Sequence, residues 1–217
     1  MSIKENLKKI KESLPVHVKL VAVSKTKPIE DIMEAYKAGQ RVFGENKIQE
    51  MTQKWEVLPK DIQWHMIGHL QRNKVKYMAE YVSLIHGVDT LKLLKEINKH
   101  AKNCDRTIPC LLQIDIAEEE TKFGFDENEL NEIITSIDLL QLSNIKIAGL
   151  MGMATFTDNT QQIRKEFKRL KSLFDKTKTK LPDITELSMG MSGDYEIAIA
   201  EGSTMIRVGS FIFGARN

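Results

Sequence analysis

The feature that most limits how this chain can fold is an alternation, sustained from Lys19 to Gly209, of short β-rich apolar runs with longer amphipathic stretches. Eight runs are present: KLVAVSK from Lys19, RVFGE from Arg41, QWHMIG from Gln63, SLIHGV from Ser83, CLLQIDI from Cys110, IAGLMGM from Ile147, ELSMG from Glu186 and MIRVG from Met205. Such runs, separated by helical stretches, are how strands of a parallel sheet covered on both faces read. The intervening stretches carry helix signals: Pro28 to Ala38 is stopped by Gly39, and from Thr160 to Thr177 the residues Ile163, Phe167, Leu170 and Phe174 share one face. Ahead of the first run, Ser2-Ile3-Lys4-Glu5 is a capping box, and Ile3, Leu7, Ile10 and Leu14 follow at helical spacing. Eight strands, each followed by a helix, with no linker, predict a (β/α)8 TIM-type barrel, a single domain over 1–217 with an extra N-terminal helix; an open doubly wound sheet is the alternative. The length of 217 residues is at the lower end of what a closed barrel requires.

The 32 basic residues nearly balance the 30 acidic ones, and a formal charge of +2 supplies no strong field to draw in nucleic acid or an acidic membrane. A small-molecule partner fits better. Cys104 and Cys110 are too few for a disulfide framework, no leader precedes Met1, and no apolar run is long enough for a bilayer, so a cytoplasmic protein with reduced thiols is expected. No glycine-rich dinucleotide fingerprint follows the first strand and no Walker-type phosphate loop occurs, which disfavours nucleotides.

A barrel of this kind carries its chemistry at the carboxyl ends of the strands. There the first run ends in Ser24-Lys25-Thr26-Lys27-Pro28, the second in Gly44-Glu45-Asn46, the third in Gly68-His69 and the fourth in His86-Gly87. Lys25 follows the apolar Leu20, Val21, Ala22 and Val23. A lysine rising from the barrel wall is partly desolvated, which lowers its pKa and favours the neutral amine that attacks an aldehyde. The other reading is a lysine snorkelling to solvent. Lys27 is the close rival, and its place before Pro28 predicts that its side chain leaves the barrel axis. Ser192 and Gly193 precede a helical stretch from Ile197 to Ala200, and Gly209-Ser210 follows the eighth strand; both offer backbone N–H groups to a phosphate. Ordinary cap and turn chemistry accounts for either alone.

His65 and His69 have a spacing that on a helix would hint at a metal pair, but on an extended strand they lie roughly 13 Å apart, too far to share one ion. His86 reads as a hydrogen-bonded structural residue, and His17 and His100 as surface residues. The dense basic residues from Arg164 to Lys180 read as a solvated helix face, because the aromatic residues there lie on the buried side. Met151, Met153, Met189 and Met191 read as core and pocket lining.

Taken together, Ala22-Val23-Ser24-Lys25-Thr26-Lys27-Pro28, Phe43-Gly44-Glu45-Asn46, Trp64 through Gln71, Gly149 through Met153, Leu187 through Ser192 and Gly202 through Gly209 and on to Phe213-Gly214 resemble the pyridoxal phosphate homeostasis protein family. The resemblance spans nearly the whole chain. It implies a fold similar to the N-terminal barrel of alanine racemase, with Lys25 forming the internal aldimine with pyridoxal 5′-phosphate, Asn46 lining the pocket and Arg207 facing the pyridine nitrogen. Ser192 and the backbone of Gly209 and Ser210 would hold the phosphate. One departure is Gly193, where many relatives carry a bulkier residue. The implied role is a non-catalytic or barely catalytic monomer that buffers the cofactor and passes it to apo-enzymes. A pyridoxal phosphate enzyme such as a racemase is the competitor, and a phosphate-binding barrel with sugar chemistry a third class. In the racemase relative the second acid–base group comes from an added C-terminal domain of a partner subunit, whereas this sequence ends at Asn217. A permanently charged Arg207 beside the ring nitrogen would also weaken the cofactor as an electron sink.

Overall fold

Each of the eight apolar runs forms a strand: β1 (Lys19–Val23), β2 (Val42–Glu45), β3 (Gln63–Met66), β4 (Val82–Val88), β5 (Ile108–Gln113), β6 (Ile145–Met151), β7 (Glu186–Ser188) and β8 (Met205–Val208). The computed structural model describes residues 2–118 and 123–214. In it the strands pair in chain order, all parallel, and β8 returns to β1 with Leu20 opposite Ile206 and Val21 opposite Arg207. That pairing closes the barrel and excludes the open sheet.

The helices are α1 (Ile3–Ser13), α2 (Ile29–Lys37), α3 (Ile48–Val57), α4 (Leu91–Asn103), α5 (Glu127–Thr135), α6 (Ile137–Leu140), α7 (Thr160–Lys180), α8 (Tyr195–Ala200) and α9 (Ser210–Phe213). The expectation of a helix after every strand fails once, because β3 is followed by a 3-10 helix, Arg72–Tyr77, that buries only Val75. With one apolar side chain to bury, that segment has no stripe to hold an α-helix on the sheet. Elsewhere the signals hold. Ser2 and Glu5 form the capping box of α1, which buries Leu7 and Ile10, each worth about 1.5–3 kcal/mol, near α2 and α9. Gly39 ends α2 in the left-handed region at φ 87°, where a side chain would be strained.

Strand alternation sorts the barrel's side chains into two sets. Ala22, Phe43, Trp64 and Met66 join the large core between sheet and helices. Val21, Leu84, Leu111, Met151 and Met205 point inward and form a second, small core inside the barrel. On β1 the inward set of Val21 and Val23 continues to Lys25, so the sheet's own period aims that lysine over the mouth.

Candidate cofactor-binding site

A cavity of about 460 Å³ opens at the carboxyl ends of the strands and brings together Lys25, Asn46, Ser192, Arg207, Gly209 and Ser210. Its size suits a small organic molecule. A larger and more open groove of about 700 Å³, beside His69 and the start of α4, contains none of these six residues and lacks their convergent chemistry.

Lys25 is half-buried at the second position of a tight turn in which the Lys27 N–H donates to the Ser24 carbonyl at 3.0 Å. The third position, Thr26, has φ 64°, a left-handed conformation that a β-branched residue resists by about 1–3 kcal/mol. Three buried or half-buried groups hold the turn in place. The Thr26 N–H donates to Glu50 Oε1 at 2.6 Å, the Ser24 hydroxyl to Glu45 Oε1 at 2.6 Å, and Lys54 Nζ to the Ser24 carbonyl at 2.8 Å. Lys54 also reaches Glu45 Oε1 at 2.8 Å and Glu50 Oε1 at 2.7 Å. Burial pushes the Glu45 carboxyl up, and the charge and hydrogen bond of Lys54 pull it part of the way back. Sequence reading missed this cluster, since Glu50 and Lys54 look like a surface pair one helical turn apart.

Asn46 follows β2 and is seated by a backbone contact. A Cβ on Gly68 would come within 2.5 Å of the Asn46 carbonyl oxygen, so only glycine lets the third strand's end pass so close. Arg207 is buried, with Nη1 donating to Ser188 Oγ at 2.6 Å and Nη2 to the Gly152 carbonyl at 3.1 Å. Burial lowers its pKa to about 10, and nearby Asp194 counters that shift, so the guanidinium stays charged at neutral pH. The two loops at the carboxyl end are joined, because the Gly209 N–H donates to Ser192 Oγ at 3.3 Å. That contact leaves the Ser192 hydroxyl proton available beside the first N–H groups of α9, which a helix cannot satisfy internally. At Gly193 an added Cβ meets nothing within 4 Å, so the departure there leaves the loop's shape intact.

Three placements differ from the sequence reading. Lys27 does not leave the site; it borders the same cavity, and its ammonium donates to the carbonyls of Phe213 and Gly214 at 3.0 and 3.3 Å. Asp158 and Asp194 also line the cavity, giving three cationic side chains against two acidic ones. Burial raises the Asp194 pKa, and its Oδ1 accepts the Met191 N–H at 2.5 Å, which turns it toward its own loop. His100, read as a surface residue, is half-buried, and its Nε2 lies 2.9 Å from Glu96 Oε1.

Neither His69 nor His86, both near strand ends, lines the cavity. His69 is exposed and lies 3.5 Å from Asp89, whereas His86 is fully buried inside the barrel between His65 and Ser188. Burial lowers the pKa of His86 well below its usual value and, aided by the Lys19 charge, takes His65 down to about 3. Among the described residues no group of three metal-ligating side chains occurs. Nor, among them, is any helix long and apolar enough to cross a membrane.

A parallel eight-stranded barrel with a lysine, a buried arginine and two linked N–H-rich loops at one mouth is a small-molecule-binding barrel with a site for an anionic carbonyl compound. The chain belongs to the alanine racemase N-terminal domain family, whose model matches residues 1–217, and within it to the pyridoxal phosphate homeostasis proteins. Those of Aquifex aeolicus and a Synechocystis strain are 40% and 42% identical, over 91% and 94% of this chain and 87% and 94% of theirs. PipY of Synechococcus elongatus, solved with PLP bound, is 36% identical with a TM-score of 0.89, covering 98% of this chain and all of that one. An alanine racemase of Clostridium difficile shares the fold at a TM-score of 0.79 and 18% identity, the match covering 99% of this chain and 57% of the racemase.

Proposed function

We propose that this chain, as one domain over 1–217, binds pyridoxal 5′-phosphate covalently through Lys25 and buffers the free cofactor, acting as a cytoplasmic monomer that hands it to apo-enzymes. The observation that carries this reading is the convergence in one cavity of Lys25 on a braced turn, a buried Arg207 and the linked loops of Ser192 and Gly209. The names of its relatives and the PLP-bound PipY structure support it. When bound, the cofactor supplies an aldehyde for the lysine and a ring able to accept electrons from an amino acid. Lys25 attaches it, Asn46 borders it, and the Ser192 hydroxyl and Ser210 N–H receive the phosphate, with the Gly209 N–H turning to it from the long contact with Ser192 Oγ. Arg207 presents a charged donor to the ring nitrogen and keeps its own proton, which leaves the ring a poor electron sink.

The phosphate cradle predicts the first test. Charge-assisted hydrogen bonds contribute about 1.5–3 kcal/mol each, so pyridoxal without its phosphate should bind at least about tenfold more weakly in equilibrium titration. Equal affinities would show the cradle to be misplaced.

Carrier and enzyme are separated by turnover. A racemase needs acid–base groups on both faces of the substrate carbon, and neither His69 nor His86 lines the cavity to supply the second. The loaded protein in deuterated water should therefore exchange the α-protons of L-amino acids no faster than the free cofactor does. Multiple turnovers that vanish in Lys25→Ala would establish an enzyme instead.

A further inference from the structure

Four polar residues run through the barrel interior, where the neighbouring side chains are apolar. Arg207 of β8 donates to Ser188 of β7 at 2.6 Å; Ser188 Oγ lies 2.9 Å from His86 Nδ1 of β4, across the lumen; and His86 Nε2 lies 3.0 Å from His65 Nδ1 of β3. All four are buried. One end of the chain, Arg207, borders the cofactor cavity. The other, His65, borders a separate cavity of about 300 Å³ at the opposite mouth, with Lys19, Gln63, Lys146 and Glu186.

Hydrogen-bond chemistry gives this chain a direction. A guanidinium has donors and no acceptor, so the Ser188 oxygen must accept from Arg207. Its hydroxyl proton is then free to go to His86 Nδ1. Both histidines are neutral, so His86 carries its proton on Nε2 and donates it to His65 Nδ1, and His65 carries its own on Nε2. In the reverse direction the Ser188 oxygen would receive two donors, and its hydroxyl proton would have no acceptor among the described residues. A buried polar chain is stable when its donors and acceptors match, and the forward direction matches every bond within it, leaving the His65 Nε2–H toward the basal cavity that His65 borders.

We propose that Ser188, His86 and His65 are positioning residues that act through one another to fix the Arg207 guanidinium as a donor facing the cofactor ring, and that this chain extends to the basal mouth of the barrel. The inference rests on the reading of Arg207 given under the proposed function. Its distinguishing feature is reach: a change at His65, on the far side of the lumen, is felt at the cofactor.

Two measurements test it. In the cofactor-free protein, nitrogen-15 NMR at neutral pH should show both histidines as neutral Nε2–H tautomers, and the Nη protons of Arg207 should exchange slowly. Exchange should quicken several-fold, up to about tenfold, in His86→Leu, the factor expected when a neutral hydrogen bond that orients Ser188 is lost. In the loaded protein the same variant should shift the visible absorption band and release cofactor about tenfold faster. His86→Asn, whose amide oxygen can still accept from Ser188, should restore most of both. Should His86→Leu fail to fold, Ser188→Ala removes a single oxygen and is read the same way. Nδ1–H tautomers, or unchanged Arg207 exchange in both variants, would overturn the chain. Altered Arg207 exchange with an unchanged absorption band and release rate would overturn the positioning role. A wild-type protein that fails to bind the cofactor would sink the proposed function, while the NMR arm still decides the chain.

Discussion

Borohydride treatment of the loaded Lys25→Ala protein should leave no covalent label, with the visible band of the bound cofactor lost and only weaker, non-covalent binding remaining. The expectation follows from strand period and turn geometry together. Val21, Val23 and Lys25 alternate onto the inner face of β1, and the turn from Ser24 to Lys27 holds Lys25 at the cavity wall. Lys27 borders the same cavity and is the one credible substitute, so proximity does not decide between them. What decides is direction: the Lys27 ammonium turns to two backbone carbonyls at the end of α9, whereas the inward set of β1, Val21 and Val23, continues to Lys25. Peptide mapping of the reduced wild-type adduct should place the label on Lys25 alone. A label on Lys27, or an intact band in Lys25→Ala, would reassign the attachment site.

The barrel was legible because its strands are buried on both faces and so read as unbroken apolar runs, each found within a few residues of its place. Closure was not readable from any one run; it depends on β8 meeting β1, a contact between chain ends that no local period encodes. The six cofactor-site residues came from strand ends and the family resemblance, and the structure gathers all six around one cavity. Their bracing was invisible for a physical reason. Glu50 and Lys54 are spaced as an exposed helical pair, and only the packing of α3 on the first two strand ends buries Lys54 beside Glu45. The histidines read as no metal pair and His86 as hydrogen-bonded, but nothing in the sequence names their partners. His65 and His69 are neighbours in sequence, yet the strand's period sends His65 into the lumen to meet His86 and leaves His69 exposed. A signal was available: His65, His86, Ser188 and Arg207 each lie two residues beyond an inward position of their strand, after Gln63, Leu84, Glu186 and Met205.

Lys54→Met should be the most destabilising of the conservative substitutions at this site, by about 3–5 kcal/mol, because it removes one member of a buried ion cluster and strands the other. Lys54 and Glu45 are both buried, and one Glu45 oxygen, Oε2, already lacks a hydrogen-bond partner among the described residues. Without Lys54 the remaining oxygen keeps only the Ser24 hydroxyl, and the Ser24 carbonyl loses its ammonium donor. Thr26 then holds its left-handed backbone with Glu50 no longer anchored, so the turn carrying Lys25 loosens and cofactor binding weakens along with stability. The pH dependence follows from Glu45. Burial already raises its folded pKa above the unfolded value, so the folded state retains a proton that the unfolded state releases, and stability falls as pH rises through the interval between the two values. Lys54 narrows that interval by pulling the folded value down. Removing it widens the interval, and the variant's deficit should grow in urea unfolding as pH rises above the ordinary glutamate value of about 4.3 toward neutrality. Adding Glu45→Gln should recover much of the loss, because no buried charge is then left unpaired. A deficit below about 1 kcal/mol, or one larger in acid than at neutral pH, would mean that the cluster is solvated in solution and that the Lys25 turn is held by its backbone alone.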